Sequence, residues 1–200
     1  TYSGSCSSST TSASAGTNTI TLNSLSDGTY SDCKITVTDS LGNAVTLNIG
    51  SFVIDGTAPS VYSINPSNNQ TGVSVSENIS VTFYEEMDTT TITTNTSNTT
   101  CSGSFALSSN NFSTCVQMSS APSSSNSDKT FTLDPSANLS GSTTYKTRVT
   151  TGVQDTAGNA LSSQYETSTG FTTAYYATAI SIGGFHTCAI LDNGSTKCWG

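Results

Sequence analysis

One histidine, six cysteines and a short acidic run are the groups in this chain whose chemistry goes beyond packing. His186 stands two residues before Cys188, and Cys198 follows. A structural zinc centre takes four ligands in compact pairs, and one His with two Cys falls short of that set. Cys-x-x-Cys does not occur in the sequence, so a thioredoxin-type redox centre is excluded. The acidic candidates are Glu85, Glu86 and Asp88, with Asp55 upstream. They offer the hard oxygen ligands that Ca2+ takes, although neither place has the spacing of an EF-hand loop. The competing reading is a solvated strand end and an Asx turn. For catalysis, His186 has no nucleophile elbow nearby. Glu85 and Glu86 are neighbours that a strand points to opposite faces, so they cannot flank a glycosidic bond. The chain is read as non-catalytic, with no cofactor beyond candidate Ca2+.

The elements that position these groups are strands. Ser and Thr make up 75 of the 200 residues, while charged residues are only 9 %. Such polarity would leave a chain disordered if its apolar residues were unpatterned. They are patterned: Cys33, Ile35 and Val37 alternate, as do Ile79, Val81 and Phe83, Ile20 and Leu22, and Phe131 and Leu133. Alternation of period two in Thr- and Val-rich runs is a half-buried strand, and a sustained helical stripe is missing. The fold class is all-β. A net charge of −8 with five Lys plus Arg repels phosphate backbones and anionic bilayers. Nucleic acid is therefore excluded as a partner, and no direct membrane contact is expected.

Cysteine spacing gives the compartment. Sequence neighbours pair naturally as Cys6 with Cys33, Cys101 with Cys115 and Cys188 with Cys198. The last pair follows from register. Asp192-Asn193-Gly194 signals a three-residue hairpin loop with Gly194 in the left-handed position. Leu191 then faces Ser195, and Cys188 falls opposite Cys198, within bridging range. Disulfides imply an oxidising compartment, secreted, periplasmic or cell-surface, and the expected location is extracellular or at the cell surface.

Two stretches, residues 20–46 and 131–162, repeat one plan. Each carries an apolar-Thr-Leu start, a Tyr opening a strand, and Asp-x-x-Gly-Asn-Ala. Tyr30 and Tyr145 fit tyrosine corners. Asp39 and Asp155 suit loops that cap their own backbone, with Gly42 and Gly158 supplying positive φ. A turn at Asp55-Gly56 and Pro59 mark a boundary near residue 57.

Residues 61–92, with Phe83, Glu85 and Met87, together with Asp155, Gly158, Asn159 and Ala160, resemble the bacterial Ig-like domains of S-layer and other surface proteins. The resemblance implies immunoglobulin-like β-sandwich domains in tandem. Residues 1–57 are then an incomplete Ig-like domain holding C-terminal strands, and residues 58–173 a complete one. Cys101 and Cys115 are extra to the minimal pattern and staple a mid-domain hairpin. Gly184, His186, Cys188, Leu191, Gly194, Cys198 and Trp199 resemble part of a regulator of chromosome condensation repeat. Residues 174–200 are accordingly a linker and a partial β-propeller blade, with His186 and Trp199 expected in the blade core. Together the resemblances imply a fragment of a secreted or cell-surface bacterial protein acting as a structural stalk or adhesion module. The alternative is a set of accessory modules of a larger extracellular enzyme, with carbohydrate binding one role for them, to which the adjacent Tyr175 and Tyr176 would contribute an aromatic platform. Partners would be neighbouring Ig-like and propeller domains of the same chain and an extracellular protein or glycan. Asn-x-Ser/Thr occurs at Asn69, Asn78, Asn95, Asn98, Asn111, Asn138 and Asn193, as expected by chance in so Ser- and Thr-rich a chain.

Overall fold

The alternating runs form strands throughout a computed structural model that describes residues 1–192 and 194–200. Asn193, the middle of the expected hairpin loop and one of the Asn-x-Ser/Thr positions, lies outside the described residues. Apart from a 3-10 turn at Thr89–Thr91, every regular element among the described residues is a strand. No helix among them is long and apolar enough to cross a membrane. The chain divides into two compact units, Thr1–Thr57 and Ala58–Gly200.

The first unit holds β1 (Tyr2–Ser3), β2 (Gly28–Tyr30), β3 (Lys34–Thr38), β4 (Ala44–Asn48) and β5 (Phe52–Ile54). They make a sheet of order β1-β3-β4 and a separate pair β2-β5. Ile35 faces Leu47 and Val37 faces Val45, so these apolar residues share one side of the sheet. Thr36 and Thr46 take the other side, with hydroxyls 2.9 Å apart. The apolar side stays open: Val37, Val45 and Leu47 are 53, 74 and 63 % exposed. A depression of about 420 Å³ separates Ile35 and Val37 from residues 10–13. Cys6 and Cys33 are the only fully buried side chains of this unit. They form a disulfide with Cα atoms 5.2 Å apart. This unit has a staple in place of a core.

The second unit opens with a sandwich built from β6 (Val61–Asn65), β7 (Ile79–Phe83), β8 (Phe105–Ser108), β9 (Ser123–Ser125), β10 (Thr130–Leu133), β11 (Thr144–Val149), β12 (Tyr165–Glu166) and β13 (Phe171–Thr172). One sheet runs β6-β7-β10-β9. The other runs β12-β11-β13, with β8 also paired to β11. Alternation sends Ile79, Val81, Phe83, Phe131 and Leu133 inward from the first sheet, to meet Phe105, Leu107, Val149 and Phe171 of the second. Phe83, Phe105 and Phe131 centre this core, with ring centroids 6.1 to 6.2 Å apart. Burying each ring contributes roughly 1.5–3 kcal/mol. The Cys101–Cys115 disulfide, Cα atoms 5.0 Å apart, brackets β8.

The chain then forms β14 (Ala177–Ile182), β15 (Thr187–Leu191) and β16 (Thr196–Trp199), an antiparallel sheet of order β14-β15-β16. Leu191 N–H donates to Ser195 O at 2.8 Å, and Gly194 has φ +77°. The loop places Cys188 directly opposite Cys198, and they are bonded with Cα atoms 4.1 Å apart. His186 and Trp199, expected in a blade core, are both exposed. A propeller blade packs its faces against neighbouring blades, and a single three-stranded sheet supplies no such neighbour.

Candidate functional site

Of the acidic groups, Glu85 comes close to Asp155 in the second unit. Asp155 lies in the loop that follows β11, and the residue is 1 % exposed. It accepts hydrogen bonds from the Ala157 N–H (2.8 Å), the Asn159 N–H (2.9 Å) and the Asn159 amide nitrogen (2.9 Å). Gly158 takes φ +92° to close the turn, which a Cβ would strain. Asp39 builds the same loop in the first unit. It accepts from the Leu41 N–H, the Asn43 N–H and the Asn43 amide nitrogen at 2.9, 2.9 and 2.8 Å, with Gly42 at φ +90°. The backbone bonds also repeat: Asp39 N–H to Asn43 O at 2.9 Å and Asp155 N–H to Asn159 O at 3.0 Å. The two loops are one device.

Burial separates them. In the second unit the segment after β7 lies over the loop: Met87 bridges to Asp155, and the Asp88 N–H donates to Gln154 O at 2.9 Å. That brings Glu85 and Asp155 together, with carboxylate oxygens within 4.8 Å. Two carboxylates this close repel unless donors or a cation face them. A pair of them supplies only part of the six to eight oxygens of a Ca2+ shell. Glu86 is exposed and Asp88 is turned elsewhere: its Oδ1 accepts from the Thr90 N–H at 2.9 Å and the Thr90 hydroxyl at 2.7 Å, capping the 3-10 turn. Asp55 belongs to the first unit, where it accepts from the Thr57 N–H at 3.0 Å as an Asx turn. Nearby Asp27 accepts from the Thr57 hydroxyl and the Gly56 N–H.

Asp155→Ala is expected to cost about 2–3 kcal/mol, because it removes a buried charged acceptor from three part-buried hydrogen bonds. Asp39→Ala costs less, since water reaches the donors it frees. Urea unfolding followed by amide exchange in each loop checks this, and equal losses at both positions would contradict it.

The exposed carboxylates report on pH. Asp39 sits below the ordinary carboxylate value because the Asn43 side chain, then the Asn43 N–H, favour its charged form. Asp27 is lowered by the Thr57 hydroxyl and then the Gly56 N–H, and Asp88 by the Thr90 hydroxyl and then the Thr90 N–H. A folded-state pKa below the unfolded one stabilises the fold above the unfolded pKa, and that stabilisation is lost as pH falls through the folded value. A pH titration of the Leu41 and Asn43 amide resonances should therefore show a midpoint below that of Asp in an unstructured peptide. A midpoint at or above it would refute the hydrogen-bonded loop.

The aromatic positions also repeat. The Tyr30 hydroxyl donates to Ser26 O at 2.8 Å, and the Tyr145 hydroxyl oxygen accepts from the Ser140 N–H at 2.9 Å. Each ring stacks on a cross-strand Phe: Tyr30 on Phe52 at 5.5 Å and Tyr145 on Phe171 at 5.8 Å. Sequence reading missed both Phe residues. The available signal was a Gly one or two positions ahead of a Phe after each Asp loop, at Gly50-Ser51-Phe52 and Gly170-Phe171. Among the Asn-x-Ser/Thr positions, Asn95 is buried and its amide donates to Asn98 O and Val116 O, so it has no room for a glycan.

Two facing antiparallel sheets, a tyrosine corner and an Asp-capped loop at the sandwich end define an immunoglobulin-like domain. Residues 55–173 match the model of the bacterial Ig-like domain, and the chain belongs to that family. Residues 177–200 match the regulator of chromosome condensation (RCC1) repeat. No curated protein matches the chain. Among solved structures it is similar to the N-terminal part of the bacterial S-layer protein SbsC, at 18 % identity and TM-score 0.42, over 70 % of this chain and 32 % of that one. Surface layer protein SbsC, domains 1–6, is matched at 18 % identity and TM-score 0.41, over 71 % of this chain and 19 % of that one. The chain thus spans a third or less of the structures it matches.

Proposed function

We propose that this chain is a non-catalytic structural module of a secreted or cell-surface bacterial protein, in which Ig-like units in tandem form a stalk. The observation that carries this reading is one supersecondary plan used twice in series and stapled by disulfides: the loops at Asp39 and Asp155 and the stacked Tyr–Phe pairs. Repetition in series suits a spacer, because each unit adds length without adding a reaction centre. The three disulfides favour an oxidising compartment. Membership in the bacterial Ig-like family supports the same placement. The test is labelling of intact source cells with a membrane-impermeant amine reagent, followed by recovery of peptides containing Lys34, Lys129, Lys146 or Lys197. Labelled peptides are expected. Peptides labelled only after lysis would reject the surface reading.

A further inference from the structure

Two rings of the second unit stand in solvent at one edge of the first sandwich sheet. Tyr62 and Tyr84 are each 63 % exposed, and their rings meet edge to face with centroids 5.0 Å apart. Tyr84 continues the outward positions of β7 past Thr82, beyond buried Phe83. Tyr62 is turned outward by a bulge: the register shifts between Val61 and Ser63, while Val61 and Ile64 remain packed on the core. Lys129 reaches the Tyr84 backbone, its Nζ donating to the Tyr84 carbonyl oxygen at 3.2 Å. The turn that delivers Lys129 holds three consecutive non-glycine residues, Asn126, Ser127 and Asp128, at φ between 51 and 55°. That conformation is disfavoured for L residues.

The rest of this face is unusual in a chain of net charge −8. Strands β6, β7, β9 and β10 contain no Asp, Glu, Lys or Arg. Their outward positions are hydroxyls in register: Thr82 opposite Thr130, with oxygens 3.1 Å apart, and Ser80 opposite Thr132. The other sheet's β11 and β12 instead carry Lys146, Arg148 and Glu166, joined as ion pairs. Within the strands, charge is thus confined to one sheet, while Lys129 reaches the Tyr84 end of the other from its turn.

We propose that the neutral sheet face binds an uncharged polysaccharide, with one pyranose ring stacked on the Tyr62–Tyr84 corner. A pyranose has an apolar C–H face that suits an exposed Tyr ring, which is itself apolar across its body and polar at its tip. Its hydroxyls both donate and accept, as do those of Thr82 and Thr130, and Lys129 adds a donor. Strands about 4.8 Å apart space these hydroxyls on the scale of one sugar ring. Charge selects the occupant: an uncharged chain asks for no countercharge from strands that carry none, whereas an anionic one is opposed by the molecule's net charge of −8. A protein interface centred on aromatics would have an apolar, charge-depleted core around them, and here the neighbours are hydroxyls.

This inference rests on the extracellular reading only for access to the ligand, and the two fail separately, since binding is measured on purified protein. The test is affinity electrophoresis of the intact 200-residue chain in gels holding soluble β-glucan, glucomannan or glycol chitin. Retardation by at least one is expected. Tyr62→Ala or Tyr84→Ala should weaken it roughly tenfold or more, Tyr62→Phe should largely retain it, and Tyr175→Ala should leave it unchanged. Both corner rings are exposed, so amide exchange of the sandwich core should stay at its parent value and separate lost binding from lost fold. No retardation by any of the three, retardation that survives both alanine variants, or retardation abolished by Tyr175→Ala would overturn the proposal.

Discussion

Replacing Cys6 and Cys33 by serine is expected to unfold residues 1–57 and leave the sandwich of the second unit folded. The disulfide closes a sequence separation of 27 residues, and loop-closure entropy for that length is worth about 3–4 kcal/mol. A large domain can lose that much. The first unit has no fully buried side chains other than these two cysteines, and its widest apolar face is open to water. Small scaffolds without a sufficient core depend on such staples. Amide exchange on the double variant should show the β3–β4 ladder unprotected, while β7, β10 and β11 keep their parent protection. Retained protection in β3 and β4 would mean that packing across the sheet contributes more than its exposure implies.

Phe131→Ala should strongly destabilise the second unit, a loss of about 3–5 kcal/mol. Phe131 is 1 % exposed and touches both Phe83 and Phe105, one from its own sheet and one from the facing sheet. Removing it deletes buried apolar surface and leaves a cavity in the one place where three rings meet. The matching change in the blade, Trp199→Ala, should fall within about 0.5 kcal/mol, because that ring is 56 % exposed. Denaturant unfolding of the two variants decides the ordering, and a smaller loss for Phe131 than for Trp199 would contradict it.

Local chemistry was legible in the sequence wherever a single turn settles it. Gly194 fixes the hairpin loop, the loop fixes the register, and the register sets Cys188 opposite Cys198. Asp39 and Asp155 read as self-capping loops because the Asp, Gly and Asn that make the bonds lie within five residues. Burial was not legible, since it depends on distant segments. The same loop is open at Asp39, whereas at Asp155 the segment carrying Met87 and Asp88 folds over it. Glu85 meets Asp155 for the same reason, whereas Asp88, three residues from Glu85, is held by its own 3-10 turn. Tyr62 escaped notice because alternation predicts one outward residue there and a bulge provides two. His186 and Trp199 show the converse case: a motif names core positions, and the core itself needs blades that a three-stranded sheet does not contain.

The most direct test of the account is the thiol state of the protein as it leaves the cell. Protein recovered from the surface or medium of its source cells would be alkylated without reduction, digested and weighed. The account predicts no alkylated cysteine and three linked peptide pairs, Cys6–Cys33, Cys101–Cys115 and Cys188–Cys198. Alkylated cysteines in protein so recovered would remove the staple on which the first unit depends and contradict a disulfide-stapled stalk.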